Sequence, residues 1–346
     1  MSEKNITAKR EISKFELTLL SPQPALFVNG RQQVLLRILA TMKEGSVEVP
    51  LTETEIANLR IVLDTYSYRA GQDDDASAEV VPREAFKTLG FYGEWESSVN
   101  DKGYAEYPAG VWGENDTSFA SLPRRQETKA GEYYFLLSCK TAGRVRSVPF
   151  CALLKADDGA RYCTNKKKWD ADGKESAYNS DYRVNLETVD LPVLTSEHIT
   201  ARPESEPPEH GYYNIVHPLQ IVYTLGGSPV RQKNMTVEPA GMIQWPHPDA
   251  GENQASFTGY ASPGATKYTF HTGNPVGAQP LPVPLLRPEQ GVLVLCGRND
   301  VPYQTNTENG PCLVTLMDIY GNEHRVSVEF SGPVNDGRHS LKLTVQ

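Results

Sequence analysis

Apolar residues in this chain recur mostly at alternate positions, in short runs divided by turn-forming residues. In VRSVPFCA, Val148, Phe150 and Ala152 alternate with other residues, and in HRVSVEF so do Val326, Val328 and Phe330. A period of two puts one face of a strand inside. Residues 134–139, 215–225 and 312–317 read as further strands. The run GVLVL at 291–295 is continuous, the pattern of a strand buried on both faces. Residues 25–38 carry Asn29-Gly30 between apolar runs, which predicts a hairpin. One helix is predicted over 53–64. Thr52 and Glu55 make a capping-box pattern, and Ile56, Leu59 and Leu63 follow at helical spacing. A strand over 59–66 competes for the same residues.

Two stretches share a spacing. With Gly143 placed on Gly321, Val148, Phe150 and Ala152 fall on Val326, Val328 and Phe330. Sixteen residues after each glycine comes an Asp-Gly step, Asp158-Gly159 and Asp336-Gly337. Asp-Gly favours tight hairpin turns. The spacing predicts two hairpins of the same design, with Gly143 and Gly321 in their turns. It also predicts two related sandwich domains.

The segment TSEHITARPESEPPEH is rich in Pro and Glu, the composition of an extended polar linker. The expected division is a first β-sandwich domain over 1–195 with helix and loop insertions, a linker over 196–210 and a second sandwich over 211–346. All seven His lie from His198 onward. With 346 residues, two domains suit the length. The 27 Gly, 25 Pro and 17 Tyr suit strands and turns better than helices.

A formal charge of −9 argues against nucleic acid as a partner, since that binding rests on clustered cations. The cluster Lys166-Lys167-Lys168 is followed at once by Asp170, Asp172 and Glu175, and reads as a solvated loop. Five Cys, with no C-x-x-C, argue against a disulfide framework or a zinc site. Cys139, Cys151 and Cys296 sit in apolar runs, where a thiol acts as a small hydrophobe and fits a reducing compartment. The N-terminal residues hold no apolar core of a secretory signal, and no run is long enough to span a membrane. The expectation is a chain cytoplasmic at synthesis, with any export by a route independent of a signal peptide.

The stretch VTLMDIYGNEHRVSVEF resembles the bacterial Ig-like repeats of invasin- and intimin-type adhesins. Asp318, Gly321, Asn322, Val328 and Phe330 occupy the positions of that pattern. The Gly-Asn pair supplies the turn, and Val and Phe pack between sheets. The resemblance covers 314–330 and lacks the usual Pro-containing insert after Gly-Asn. The first copy, around Gly143, has no Asp-x-x-Gly-Asn. The resemblance implies an Ig-like sandwich and an adhesin-like binding role.

The catalytic and metal motifs that the sequence approaches are each incomplete. Asp73-Asp74-Asp75 lacks the alternating ligands of a calcium loop, and Asp170-Ala171-Asp172-Gly173 places wrong residues at the first and last EF-hand positions. Each His reads as a surface or turn residue, with no HExxH. Gly259–Gly264 approaches a nucleophile elbow, but Pro263 removes the N–H an oxyanion hole needs. The aromatic stretch 86–112 is the candidate recognition surface: Tyr92, Trp95, Tyr104, Tyr107 and Trp112 stand among Gly, Ser, Asp and Asn. Such mixtures line glycan sites and protein interfaces. The alternative is that the rings fill the sandwich core. Trp95, between Glu94 and Glu96, is expected to be exposed.

The sequence therefore predicts a mainly β chain of two tandem Ig-like β-sandwich domains, with one short helix in the first. The expected function is a non-enzymatic bacterial binding or structural module without cofactor or metal, and with a protein or glycan partner. A carbohydrate-binding protein using the aromatic stretch, and an effector or toxin component exported without a signal peptide, are the alternatives.

Overall fold

The computed structural model describes residues 10–70, 87–88, 90–105, 107, 129–203, 214–225, 228–246, 254–265, 269–270, 292–331 and 341–346. The fold is mainly β, as the alternating pattern predicts. The described residues form two compact units, one ending at Leu191 and the other beginning at Pro192.

In the first unit the elements run β1 (Arg10–Leu19), β2 (Ala25–Phe27), β3 (Val34–Glu44), β4 (Val47–Val49), α1 (Glu53–Ala57), β5 (Arg60–Leu63), β6 (Lys87–Thr88), β7 (Gly93–Ser98), β8 (Glu132–Ala142), β9 (Ser147–Lys155), β10 (Arg161–Cys163), β11 (Asn165–Trp169), β12 (Glu175–Asp181) and β13 (Val184–Val189). One sheet has the order β1-β3-β8-β7-β6, with β4 on β3. The other has the order β12-β11-β10-β9-β13-β2, with β5 also on β9. Both sheets contribute to a single core. Phe15, Leu36, Ile38, Trp95 and Leu137 from one meet Leu63, Phe150, Ala152, Leu154 and Leu186 from the other. Each large apolar side chain so buried contributes about 1.5–3 kcal/mol.

β9 is buried on both faces. Val148, Phe150, Ala152 and Leu154 enter the main core, while Cys151 and Leu153 enter a second cluster with Val62, Tyr66, Tyr68, Cys163 and Trp169. The segment after β5 covers that outer face. Tyr66 meets Trp169 edge-on at 5.6 Å, and the Arg161 guanidinium lies 3.4 Å from the Tyr68 ring centre.

In the second unit the strands are β14 (Ile199–Pro203), β15 (Asn214–Leu225), β16 (Ser228–Val230), β17 (Gln232–Glu238), β18 (Gln254–Ala261), β19 (Thr269–Phe270), β20 (Val292–Pro302), β21 (Cys312–Asp318), β22 (Glu323–Phe330) and β23 (Leu341–Val345). One sheet has the order β14-β15-β20-β18-β19, with β16 on β15, and the other β17-β21-β22-β23. Ile221 of the first sheet joins Met235, Val314, Leu316, Val326 and Val328 of the second in a common core.

Several expectations are corrected. The predicted helix stops after one turn. Its capping box is present, with Glu55 N donating to Thr52 Oγ1 at 3.1 Å and Thr52 N to Glu55 Oε2 at 2.9 Å. Residues from Arg60 then pair with β9 instead, because Ile61 and Leu63 gain a sheet partner and a buried face there. Asn29-Gly30 does not close a hairpin: β2 and β3 lie in different sheets, so the turn carries the chain from one layer to the other.

Gly143 is a crossover of the same kind between β8 and β9, whereas Gly321 sits in a true hairpin between β21 and β22. The two copies are therefore not one design. What Gly143 requires is room. A Cβ there would strike Phe91 O and Gly93 N, and one at Gly93 would strike Thr141 O. The pair lets two backbones touch. Asp158-Gly159 does close the β9–β10 hairpin, while Asp336-Gly337 lies outside the described residues. Phe150 and Val328 are both fully buried, as the spacing predicts.

Lys166–Lys168 belong to a strand rather than a loop, because Trp169 beside them is buried and donates its Nε1 proton to Glu175. Part of the expected linker is structured. Ser196–His198 form a 3-10 turn, and Ile199–Pro203 pair antiparallel with Leu219–Tyr223 of β15. Residues 204–210, the Asp73–Asp75 run and the side chains of 291–295 lie outside the described residues.

Candidate functional site

The described part of the aromatic stretch divides into buried and rim residues. Trp95 is on β7, where alternation turns its ring inward while Glu94 and Glu96 point away. It is fully buried, 4.8 Å from Phe150 in a T-shaped contact, and its Nε1 proton goes to Tyr92 O at 2.9 Å. The expected exposure of Trp95 is thus overturned. Charged neighbours in sequence do not expose a strand residue, since they occupy the opposite face. Tyr92 is half-buried against the same core. Phe91 beside it is 52% exposed and meets the Tyr92 ring edge-on at 5.5 Å. Trp112 lies outside the described residues.

Tyr104 and Tyr107 are half-buried, the first within and the second just after a loop that polar side chains hold in place. Gln32 and Gln33 lie just before β3 and are buried. Gln32 accepts the Phe27 N–H at 2.6 Å and donates to Ala105 O at 2.9 Å. Gln33 accepts the Lys102 N–H at 2.7 Å and donates to Asn100 O at 3.2 Å. Lys102 returns its ammonium to Gly30 O at 2.8 Å, Glu96 at 3.1 Å and Ser138 Oγ at 3.2 Å. Tyr107 packs on Phe27 at 5.2 Å between ring centres. Burial, and then the charge of Glu187, raises its phenol above the usual tyrosine range. The crossover turn at Asn29-Gly30 and loop 99–105 therefore form one rim, and the two tyrosines lie on it. The sequence reading missed Gln32, Gln33 and Lys102. The available signal was two consecutive amides placed directly before an apolar strand.

A second polar cluster surrounds the Gly321 turn. Asp318 is buried at the end of β21. Its Oδ1 accepts the N–H groups of Tyr320 at 2.9 Å and Asn322 at 2.8 Å. Its Oδ2 accepts Asn322 Nδ2 at 3.0 Å and His324 Nε2 at 3.1 Å. His324 is 4% exposed, so the surface or turn reading does not hold for it. It sits on the inward face of β22, its ring 4.3 Å from that of Tyr223. Burial raises the Tyr223 phenol far above its ordinary range, with Asp318 and Tyr320 adding to the effect. The Gly-Asn pair thus does supply the turn, but the carboxylate organises it.

The described thiols are buried. Burial pushes Cys139 and Cys312 up to about 12. Cys151 is raised by a thiol hydrogen bond with Cys163, by burial and by Asp64. Such thiols hold little thiolate, the form that attacks or ligates. Asp170-Ala171-Asp172-Gly173 is a turn in which Asp170 Oδ1 accepts the Asp172 and Lys174 N–H groups at 3.1 and 2.8 Å. Among the described residues no cluster of His, Cys, Asp and Glu is placed to hold a metal ion, and no helix is long and apolar enough to cross a membrane.

No family model and no curated protein matches the chain. Among solved structures it is similar to the Yersinia pseudotuberculosis adhesin InvE, at 9% identity and a TM-score of 0.21, over 90% of this chain and 57% of that one. It is also similar to the apo β-glucuronidase 3 of Bacteroides uniformis, at 7% identity and a TM-score of 0.17, over 92% of this chain and 25% of that one. The chain spans little more than half of the first and a quarter of the second. At these scores neither likeness bears on function.

Proposed function

We propose that the chain is a non-enzymatic binding or structural module of tandem β-sandwich domains, with its recognition surface on the rim that carries Tyr104 and Tyr107. The stapled loop supports this reading. Gln32, Gln33 and Lys102 together make six hydrogen bonds or ion contacts that hold it. A loop held that firmly has already lost the conformational entropy that a binding loop would otherwise lose on meeting its partner. Rigid tyrosines then offer contact area at small entropic cost.

A glycan is the second reading, favoured by the two half-buried tyrosine rings of the rim, whose apolar faces and polar tips suit a sugar surface. A glycan array with the intact chain, repeated with Tyr104→Ala, tests both. Binding lost in the variant supports the glycan reading. Binding kept in the variant places the surface elsewhere. A silent array leaves the protein partner, to be sought by crosslinking through Tyr104 replaced with a photoreactive residue. Crosslinks absent at 104 and at 107 alike would overturn the rim as the recognition surface.

A further inference from the structure

The chain contains five Asn-Gly or Asp-Gly steps, at 29–30, 158–159, 172–173, 309–310 and 336–337. The first four lie among the described residues. At such a step the glycine nitrogen can attack the preceding side-chain carbonyl, because no Cβ stands in the way. Reaction needs that nitrogen free to lose its proton and the side chain free to swing over it.

The fold blocks three of the four. Gly30 N donates to Cys139 O at 2.9 Å, Gly159 N to Ala156 O at 2.9 Å and Gly173 N to Asp170 O at 3.0 Å. At Asn29 the electrophile is held as well, its Oδ1 accepting the Arg31 and Gln32 N–H groups at 2.8 Å each. Asn309-Gly310 differs in both respects. Both residues are exposed, and Gly310 N makes no hydrogen bond among the described residues. The Asn309 amide is touched by the Tyr303 hydroxyl at 3.3 and 3.4 Å, contacts too long to hold it.

We propose that Asn309-Gly310 is a site of spontaneous covalent modification of this chain. The Gly310 nitrogen bonds to Asn309 Cγ, the Cγ–Nδ2 bond breaks, and ammonia leaves with the proton that Gly310 gives up. The product is a succinimide. Water then adds across one of its two ring C–N bonds, giving either a normal aspartyl or an isoaspartyl linkage at position 309. No oxidant or reductant is needed, and the chain gains one negative charge.

The consequence is local. Gln244 donates its backbone N–H to Glu308 O at 2.9 Å and its amide to Thr307 O at 3.1 Å. Gly310 lies against Ile243, where a Cβ would come within 2.8 Å of Cδ1. An isoaspartyl link adds one backbone carbon between these anchors, so it loosens the loop that holds Gln244.

The test is to incubate the full chain in mildly alkaline buffer, sample over days, and follow the peptides containing positions 29 and 309 by mass spectrometry and by isoaspartyl methyltransferase labelling. Position 309 is expected to convert at least about tenfold faster than position 29, a barrier difference of about 1.4 kcal/mol. Asn309→Gln, an exposed change, should abolish the labelling at 309. In denaturing urea the two rates should converge, because the difference comes from the fold. Equal rates in the native chain would overturn the proposal. So would a difference that persists in urea, since it would then belong to the flanking sequence.

Discussion

Asp318 Oδ2 lies 3.1 Å from His324 Nε2 across the Gly321 turn, and both side chains are buried. The carboxylate takes two backbone N–H groups, the Asn322 amide and the imidazole, which fills its acceptor sites. Asp318→Ala removes the buried acceptor of four hydrogen bonds and is expected to cost about 3–4 kcal/mol. Asp190→Ala, which removes an exposed pair with Arg146, should cost less than about 1 kcal/mol. Urea unfolding of both variants checks the contrast, and similar midpoints would contradict it.

Trp95 belongs to the core, between Phe150 and the Tyr92 carbonyl. Its replacement by Ala removes a fully buried ring and should cost about 3–5 kcal/mol. Phe91→Ala nearby removes a ring that is 52% exposed and should leave the melting temperature nearly unchanged. Thermal melts of the two variants decide between core and surface roles.

Much of the fold was legible because alternation is a local signal. Val326 and Val328 face inward as their spacing says, and 215–225 is a strand. What was not legible is which strands share a sheet. Gly143 and Gly321 look alike in sequence, yet one links two sheets and the other closes a hairpin. That choice depends on partners far along the chain, such as β13 beside β9. The site was harder still. Glu94 and Glu96 point to an exposed Trp95 along the chain, but on the strand they occupy the face opposite its ring. Lys102, which staples the rim, reaches Gly30 across 72 positions, and no local pattern announces that contact.

Arg10 and Glu55 form a second long-range tie. Glu55 is fully buried and receives Arg10 Nη2 at 2.9 Å and Nε at 3.3 Å. The hydrogen bond to Glu55 is the main reason the guanidinium is held above its ordinary range. Arg10→Met strands the carboxylate in the core and should cost about 2–3 kcal/mol, less than a wholly buried pair because Arg10 is partly exposed. Adding Glu55→Gln, which removes the charge and keeps an oxygen for the Thr52 N–H, should restore much of the loss. A double-mutant cycle by urea unfolding measures the recovery, and no recovery would show that the pair itself supplies the stability.

Alkaline pH should unfold the chain earlier than exposed residues alone would allow. The Cys139 and Cys312 thiols and the Tyr178 phenol are raised to about 12, chiefly by burial. The unfolded chain gives up thiol protons near pH ~8.5, while the folded chain keeps them. The folded state therefore binds more protons in this window. Stability is full below pH ~8.5 and falls as pH rises towards about 12. Urea midpoints should decline steadily over that range, and Cys312→Ala should make the decline shallower than in the parent. A midpoint flat across the window would rule out thiol burial as the cause.

The rim makes the last prediction. Lys102 holds three partners and Gln33 bridges Asn100 to the Lys102 N–H. Gln33→Ala removes two of the bonds that fix loop 99–105 and leaves the β3 core residues untouched, so global stability should fall by only about 1–2 kcal/mol. Hydrogen exchange should show the difference where it matters. The Lys102 amide should exchange much faster in the variant, while amides of β8 keep their protection. If the rim recognises a partner, the same variant should bind more weakly than its small stability loss explains, because the loop must now be ordered on binding. Tyr104→Ala should weaken binding without changing exchange at Lys102. Weakening by Tyr104→Ala alone would make the ring the recognition element and the staple incidental. Weakening by neither would remove the rim from consideration as the binding surface.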